Sequence, residues 1–263
     1  MPADHLVTST DGIQIAYRQS GSGPPLVLVH GTSADRHTFR FVGPILEQHF
    51  TIIAVDRRGR GESGDSTAPY RIEQEFEDIA AIVDARPEPA NLFGHSFGAT
   101  VALGAARICR NLRRLILYEP TPGIAVATAD LLAKLDALLD ENKRDDLLSM
   151  VMTEFAGFKP DELAQFQSSP IWKPRVAAAH TIPREVRAEQ SYSPDPSVFA
   201  GISTPTLLLL GSESAAWARR GTEVVRSLLH HSEVRMLDGQ GHVATMTAPG
   251  LLADEIVQFL TQI

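Results

Sequence analysis

Cysteine is almost missing from this chain. Cys109 stands alone, which excludes an internal disulfide and a thiolate metal cluster, so nothing demands an oxidising compartment and a cytoplasmic location is expected. Positive charge is also scarce. Lys and Arg number 24 against 32 Asp and Glu, a formal net charge of -8, and basic pairs such as Arg57-Arg58 and Arg113-Arg114 are diluted by neighbouring acids. Attraction to phosphate backbones is therefore weak, and nucleic acid is not expected as a partner. No apolar run approaches the roughly 20 residues of a membrane span, and Met1 to His5 shows no basic patch followed by an apolar stretch. Neither a membrane anchor nor an export signal is expected. Internal repeats, low-complexity tracts, His-x-x-x-His spacings and clustered carboxylates are absent too, so no metal is expected.

What remains is the composition of an ordinary globular protein, 43% hydrophobic and 21% charged over 263 residues. That length suits one large core with a small accessory lobe, since single cores stop growing near roughly 250 to 300 residues. Short apolar runs punctuate the chain: Leu26 to Val29, Ile52 to Val55 before Asp56, Asn91 to Phe93 before Gly94, Leu115 to Tyr118 before Glu119, and Leu207 to Leu210 before Gly211. Each reads as a buried strand stopped by a turn residue. Between them lie helical patterns. Ile72, Phe76, Ile79, Ile82 and Val83 form one stripe, and Ala99 to Ile108 is a helix of small residues fit for close packing.

Strands alternating with helices predict an α/β fold with a mainly parallel sheet flanked by helices. Leu6 to Thr8 and Ile13 to Tyr17, around Asp11-Gly12, predict an antiparallel hairpin at its edge. From 121 to 200 strand-like runs vanish, and amphipathic stretches such as Leu131 to Leu139 and Leu147 to Phe155 alternate with prolines. The expected organisation is a core of 1–120 and 201–263 with a helical insertion of 121–200. The last strand, Val234 to Leu237, precedes a terminal helix over about Leu251 to Leu260.

Gly94-His95-Ser96-Phe97-Gly98 is a G-x-S-x-G placed between a short apolar strand and that small-residue helix. Such a sharp strand-to-helix turn strains the serine backbone, needs glycines where Cβ atoms would collide, and lifts the hydroxyl above the sheet edge. A serine hydroxyl needs a base. Of nine histidines, His242 is the candidate, because Asp238-Gly239-Gln240-Gly241-His242 is a glycine-rich loop able to hang over that edge. His30 belongs to a different turn, and His95 adjoins the serine and is expected to point elsewhere. Charge developing on a carbonyl oxygen needs preorganised N–H donors, worth roughly 3 kcal/mol each. Phe97, opening a helix whose first N–H groups are free, and Thr32, in His30-Gly31-Thr32-Ser33, are the candidate oxyanion donors.

Taken together, His30-Gly31-Thr32, the Asp56 to Ser63 segment, the Ser96 motif and Gly239-Gln240-Gly241-His242 resemble the α/β-hydrolase superfamily over essentially the whole length. That resemblance implies hydrolysis without a cofactor and a helical cap over the site, here 121–200. A serine at the nucleophile position sets the chain apart from the superfamily's haloalkane dehalogenases and epoxide hydrolases, which use aspartate. It departs from the commonest pattern at the third position of the triad, where Ser214 stands in place of an aspartate. Glu213 and Glu119 are the possible substitutes, and Glu119, ending the strand after the Ser96 helix, is preferred because some superfamily members carry the acid there. Any carboxylate reaching the imidazole can hold its tautomer.

The leading expectation is a hydrolase of small-molecule carboxylic esters acting through Ser96, His242 and Glu119. A thioesterase, lactonase, amidase or carbon–carbon bond hydrolase would use the same residues, and a ligand-binding or signalling protein could keep the fold. No protein partner is implied. Asp56 and its arginines read as a structural turn, and Trp172, Trp217, Phe155, Phe158 and Phe166 are candidates to line an apolar pocket.

Overall fold

Alternation of apolar side chains along each short run decides which face of a sheet they enter, and here both faces are covered. The structure, a computed structural model, describes residues 4–155 and 157–262. Eight strands form one sheet: β1 (Asp4–Thr8), β2 (Gln14–Gly21), β3 (Pro25–Val29), β4 (Thr51–Val55), β5 (Ala90–His95), β6 (Leu112–Tyr118), β7 (Thr206–Gly211) and β8 (Ser232–Leu237). Their spatial order is β1-β2-β4-β3-β5-β6-β7-β8. β1 pairs with β2, and β2 with β4, in antiparallel fashion, and every later pairing is parallel. The predicted edge hairpin is present.

Among the described residues twelve α-helices accompany the sheet. Those packed on it are α1 (Gly43–Leu46), α2 (Ile72–Asp84) and α3 (Phe97–Ala106). Between β6 and β7 come α4 (Ala129–Asp140), α5 (Arg144–Glu154), α6 (Pro160–Gln167), α7 (Trp172–Ala178), α8 (Ile182–Ser191) and α9 (Pro196–Phe199). The chain closes with α10 (Ala216–Leu228), α11 (Ala244–Thr247) and α12 (Pro249–Thr261). Prolines in the first turn open α6, α8, α9 and α12, where a missing N–H costs nothing. Thr128 and Asp195 cap α4 and α9 by accepting from Leu131 and Ser197 backbone N–H groups.

Val27, Val29, Leu92, Leu115, Leu117 and Leu208 pack with the α2 and α3 side chains on one face of the sheet. Leu26, Leu28, Phe93, Ile116, Leu207 and Leu209 pack with α12 on the other. The helices between β6 and β7 bury a separate cluster that includes Leu135, Leu147, Trp172 and Val186. The predicted α2 stripe is buried throughout. Among the described residues no helix is long and apolar enough to cross a membrane.

Strand order reverses at β3, because β4 lies on one side of it and β5 on the other. In an open α/β sheet such a reversal leaves a crevice beyond the carboxyl ends of the strands. His30 follows β3, Ser96 follows β5, Glu119 follows β6, and the His242 loop follows β8, so all four meet that crevice.

Candidate active site

Ser96 sits at φ 58° and ψ -126° between β5 and α3, a backbone region L-residues rarely adopt. The two motif glycines make this turn possible. A Cβ on Gly94 would lie 2.3 Å from the Gly98 carbonyl oxygen, and one on Gly98 would lie 2.4 Å from that of His30. A third glycine matters as much, since a Cβ on Gly31 would come within 2.9 Å of Ser96 Cβ. The turn after β3 therefore passes against the serine.

His242 brings both ring nitrogens into use. Its Nε2 lies 3.0 Å from Ser96 Oγ, and its Nδ1 lies 2.5 Å from Glu119 Oε2. A carboxylate at Nδ1 fixes that nitrogen as the donor, which leaves Nε2 to accept from the serine hydroxyl. Glu119 is fully buried and has positive φ, 51°. Its other oxygen accepts from the Ser214 hydroxyl and, at 2.9 Å, from the Gly211 N–H. Burial pushes this carboxyl up, but hydrogen bonds and charge from His242, with Ser214 and Gly211, outweigh it and hold the group below the ordinary range. Glu213 is exposed, with its backbone N–H bonded to Gln240. Of the two candidate acids, only Glu119 contacts His242.

Three further side chains pack around the imidazole and its loop in roles that the sequence did not signal. His95 lies against it with ring centroids 4.7 Å apart and donates from Nε2 to the His242 carbonyl at 2.8 Å. Burial, reinforced by the neighbouring His242, pulls His95 down to about 3, so it stays neutral. Tyr118 stacks on His95, donates to the Gly241 carbonyl and accepts from the Ala244 N–H. The Trp217 ring meets His242 edge to face at 4.8 Å.

The expected oxyanion donors flank the serine. Phe97 begins α3, and its N–H belongs to the first turn, where no intrahelical acceptor exists. The Gly31 carbonyl accepts from His30 Nδ1 at 2.9 Å and from Arg57 Nη2 at 3.3 Å. Because the peptide is trans, the Thr32 N–H points the opposite way from those donors. His30 itself is fixed by the Arg57 N–H at Nε2, and burial together with Arg57 and Arg60 holds it well below the usual imidazole range. Asp56 accepts from the Arg36 and Glu62 N–H groups, in keeping with the structural turn read from sequence.

Two cavities meet at Ser96, His242 and Thr32. One, of about 160 Å³, is lined by Val126, Val151, Phe155, Val186, Trp217 and Glu189. The other, of about 90 Å³, is lined by Phe158, Phe166, Arg175 and Met246 among others. Trp172 instead packs in the helical cluster, donating from Nε1 to Asp145. Among the described residues no group of three His, Cys, Asp or Glu side chains is placed to hold a metal.

These features define a class before any comparison does: an α/β sheet with a strained serine, a histidine and a buried carboxylate at its carboxyl edge. Residues 26–255 match the model of the alpha/beta hydrolase family, and the chain belongs to that family. An alpha/beta hydrolase from Sphaerobacter thermophilus is 39% identical, with a TM-score of 0.84 over 98% of this chain and 100% of that one. An esterase from Exiguobacterium antarcticum shares the fold at 22% identity, TM-score 0.81, over 99% of this chain and 100% of that one. A soluble epoxide hydrolase from Corynebacterium sp. (strain C12) is 32% identical over 125 residues, 47% of this chain and 44% of the relative. The chain thus spans under half the length of the curated relatives it matches.

Proposed function

We propose that this protein is a serine hydrolase that cleaves carboxylic esters of small molecules through an acyl-enzyme. The observation that carries the reading is the relay from Ser96 Oγ to His242 Nε2, 3.0 Å, and from His242 Nδ1 to Glu119, 2.5 Å. Ser96 Oγ attacks the ester carbonyl while His242 takes its proton, and Glu119 stabilises the resulting imidazolium. The Thr32 and Phe97 N–H groups hold the oxygen on which negative charge develops. As the carbon–oxygen bond breaks, His242 returns the proton to the leaving alcohol. Water, deprotonated by His242, then attacks the acyl carbon, releasing the carboxylate and restoring Ser96. No cofactor enters these steps.

The helices between β6 and β7 act as a cap in this reading, since Val151, Met152 and Val186 line the cavities beside Ser96. The substrate is accordingly a small molecule. A serine at the attacking position favours ester over epoxide chemistry, because the acyl-enzyme needs a carbonyl to attack.

Covalent labelling by a fluorophosphonate probe, read by intact mass, tests the proposal without requiring the right substrate. Rapid one-to-one labelling that vanishes in Ser96→Ala is expected. A wild-type protein that resists labelling while folded would count against an activated serine.

A further inference from the structure

The two cavities that meet at Ser96 differ in charge. The larger carries carboxylates, Glu189 on its wall and the exposed Glu154 at its mouth. The smaller carries the guanidinium of Arg175, on α7. Arg175 is only 8% exposed. Its Nε has no hydrogen-bond partner, and its Nη2 reaches only the Thr38 hydroxyl, at 3.4 Å. The Phe166 ring lies 5.2 Å away. The other buried arginines among the described residues are matched to acids in contact: Arg36 to Asp56, Arg57 to Glu75 and Glu185, Arg58 to Asp78, and Arg60 to Glu185. Arg175 has no such contact among the described residues, and of these five it alone lines a cavity with Ser96 and His242.

A buried cation without a counterion is costly to keep. Burial pulls Arg175 down to about 10, with Asp35 acting in its favour and Arg60 and Arg40 against it. At neutral pH it is still a cation. Its planar fork of N–H donors matches the two oxygens of a carboxylate.

We propose that Arg175 binds a carboxylate of the substrate, so that the preferred esters carry a free carboxylate a few atoms from the scissile carbonyl, as in monoesters of short dicarboxylic acids. This rests on the hydrolase reading above. The carboxylate end enters the smaller cavity, whose volume of about 90 Å³ suits a short acyl chain. The exposed Glu154, joined by Glu189 once its buried carboxyl ionises above about pH 7, repels an anion from the larger cavity, which receives the alcohol against Val126, Phe155 and Trp217. Opposite charge on the two sides of Ser96 thereby sets the orientation of the ester.

The test compares kcat/KM for monoethyl succinate with that for ethyl methyl succinate, its neutral analogue, in wild type, Arg175→Lys and Arg175→Gln. Wild type should favour the anionic ester at least tenfold, Arg175→Gln should abolish that ratio, and Arg175→Lys, keeping the charge without the fork, should retain part of it. Binding is read separately: monoethyl succinate should raise the Tm of Ser96→Ala and should fail to do so in Ser96→Ala/Arg175→Gln. If Arg175→Gln does not fold, the Arg175→Lys ratio and the Ser96→Ala shift decide. Equal rates on both esters in a wild type that labels with fluorophosphonate overturn the carboxylate site and leave the hydrolase reading standing. A preference that survives Arg175→Gln overturns the assignment to Arg175. Ligand binding by Ser96→Ala without labelling or turnover in wild type overturns the hydrolase reading alone.

Discussion

Ser33, Ser96 and Glu119 all hold positive φ, 57°, 58° and 51°, and all three flank the crevice. Such conformations cost of order 1 to 3 kcal/mol each and persist where surrounding contacts over-determine them. For Glu119 those contacts come from the ends of β7 and β8, through Gly211, Ser214 and His242. Replacing it by glutamine keeps the shape but removes the charge that matches an imidazolium, so Glu119→Gln should lower kcat by about 10⁴-fold. Glu213→Gln should stay within about twofold, because an exposed charge without contact to the ring has little effect. The reverse ranking of the two kcat values would transfer the role to Glu213. Glu189 gives a second residue-level expectation. Burial raises its carboxyl from 4.5 to about 7, against the pull of the Thr121 and Thr100 hydroxyls and of Arg57. The folded protein therefore binds more protons than the unfolded chain between those values, and stability falls as pH rises from 4.5 through 7. That loss is of the order of 3 kcal/mol by pH 8. Glu189→Gln should remove it, so its Tm relative to wild type should be higher at pH 8 than at pH 5, and a difference independent of pH would refute the assignment.

At the scale of elements, the helices that carry the site are set by how closely backbone can approach backbone. α3 is buried along its whole length, and Gly104 is where α2 crosses it: a Cβ there would lie 2.4 Å from the Phe76 ring. Phe76 is itself held edge to face against Tyr192, at 5.3 Å, so it has little room to retreat. Gly104→Ala should cost about 1 to 3 kcal/mol by overpacking and lower Tm by several degrees, and adding Phe76→Leu should recover part of the loss. A Tm unchanged in Gly104→Ala would show that the α2–α3 contact yields easily. These elements were legible in sequence because each depends on local pattern: the α2 stripe, the glycines around Ser96, and the prolines and strand-stopping residues that bound the rest. The pairing of Ser96 with His242 was legible too, since both stand in loops with their own glycine signature. Glu119 was preferred to Glu213 in sequence only through the family resemblance, because the choice depends on parallel registry across β6, β7 and β8 and on a serine hydroxyl at 214 supporting the carboxylate. His95, Arg175 and Glu189 left no trace, since their neighbours lie up to 147 residues away and no short spacing encodes such a contact.

On the scale of the whole molecule, three apolar clusters must be held in one arrangement for the crevice to exist: two on the faces of the sheet and one inside the helical segment. α8 joins the last to the first. Ile182 and Val186 face their own helices, whereas Glu185 and Glu189 reach across to the core. Glu185 takes Arg57 Nη2 at 2.9 Å and Arg60 Nη2 at 2.7 Å, with all three side chains fully buried, and Glu189 takes the Thr100 hydroxyl of α3 at 2.8 Å. A buried ion cluster of this kind contributes little over an apolar substitute, but removing one member leaves uncompensated charge and costs about 3 to 5 kcal/mol. Glu185→Ala strands Arg60 with only the Ala34 carbonyl and leaves Arg57 to Glu75. The penalty falls on the docked state more than on either part alone. In wild type, amides of α4–α8 and of β3–β7 should therefore become exposed to hydrogen exchange in one transition as urea rises. In Glu185→Ala the midpoint should drop, and the α4–α8 amides should exchange at lower urea than those of the strands. If all amides instead shift together by the same amount, the helical segment is held to the sheet by its apolar contacts, and the ion cluster serves only to orient the His30-Gly31-Thr32 turn through Arg57.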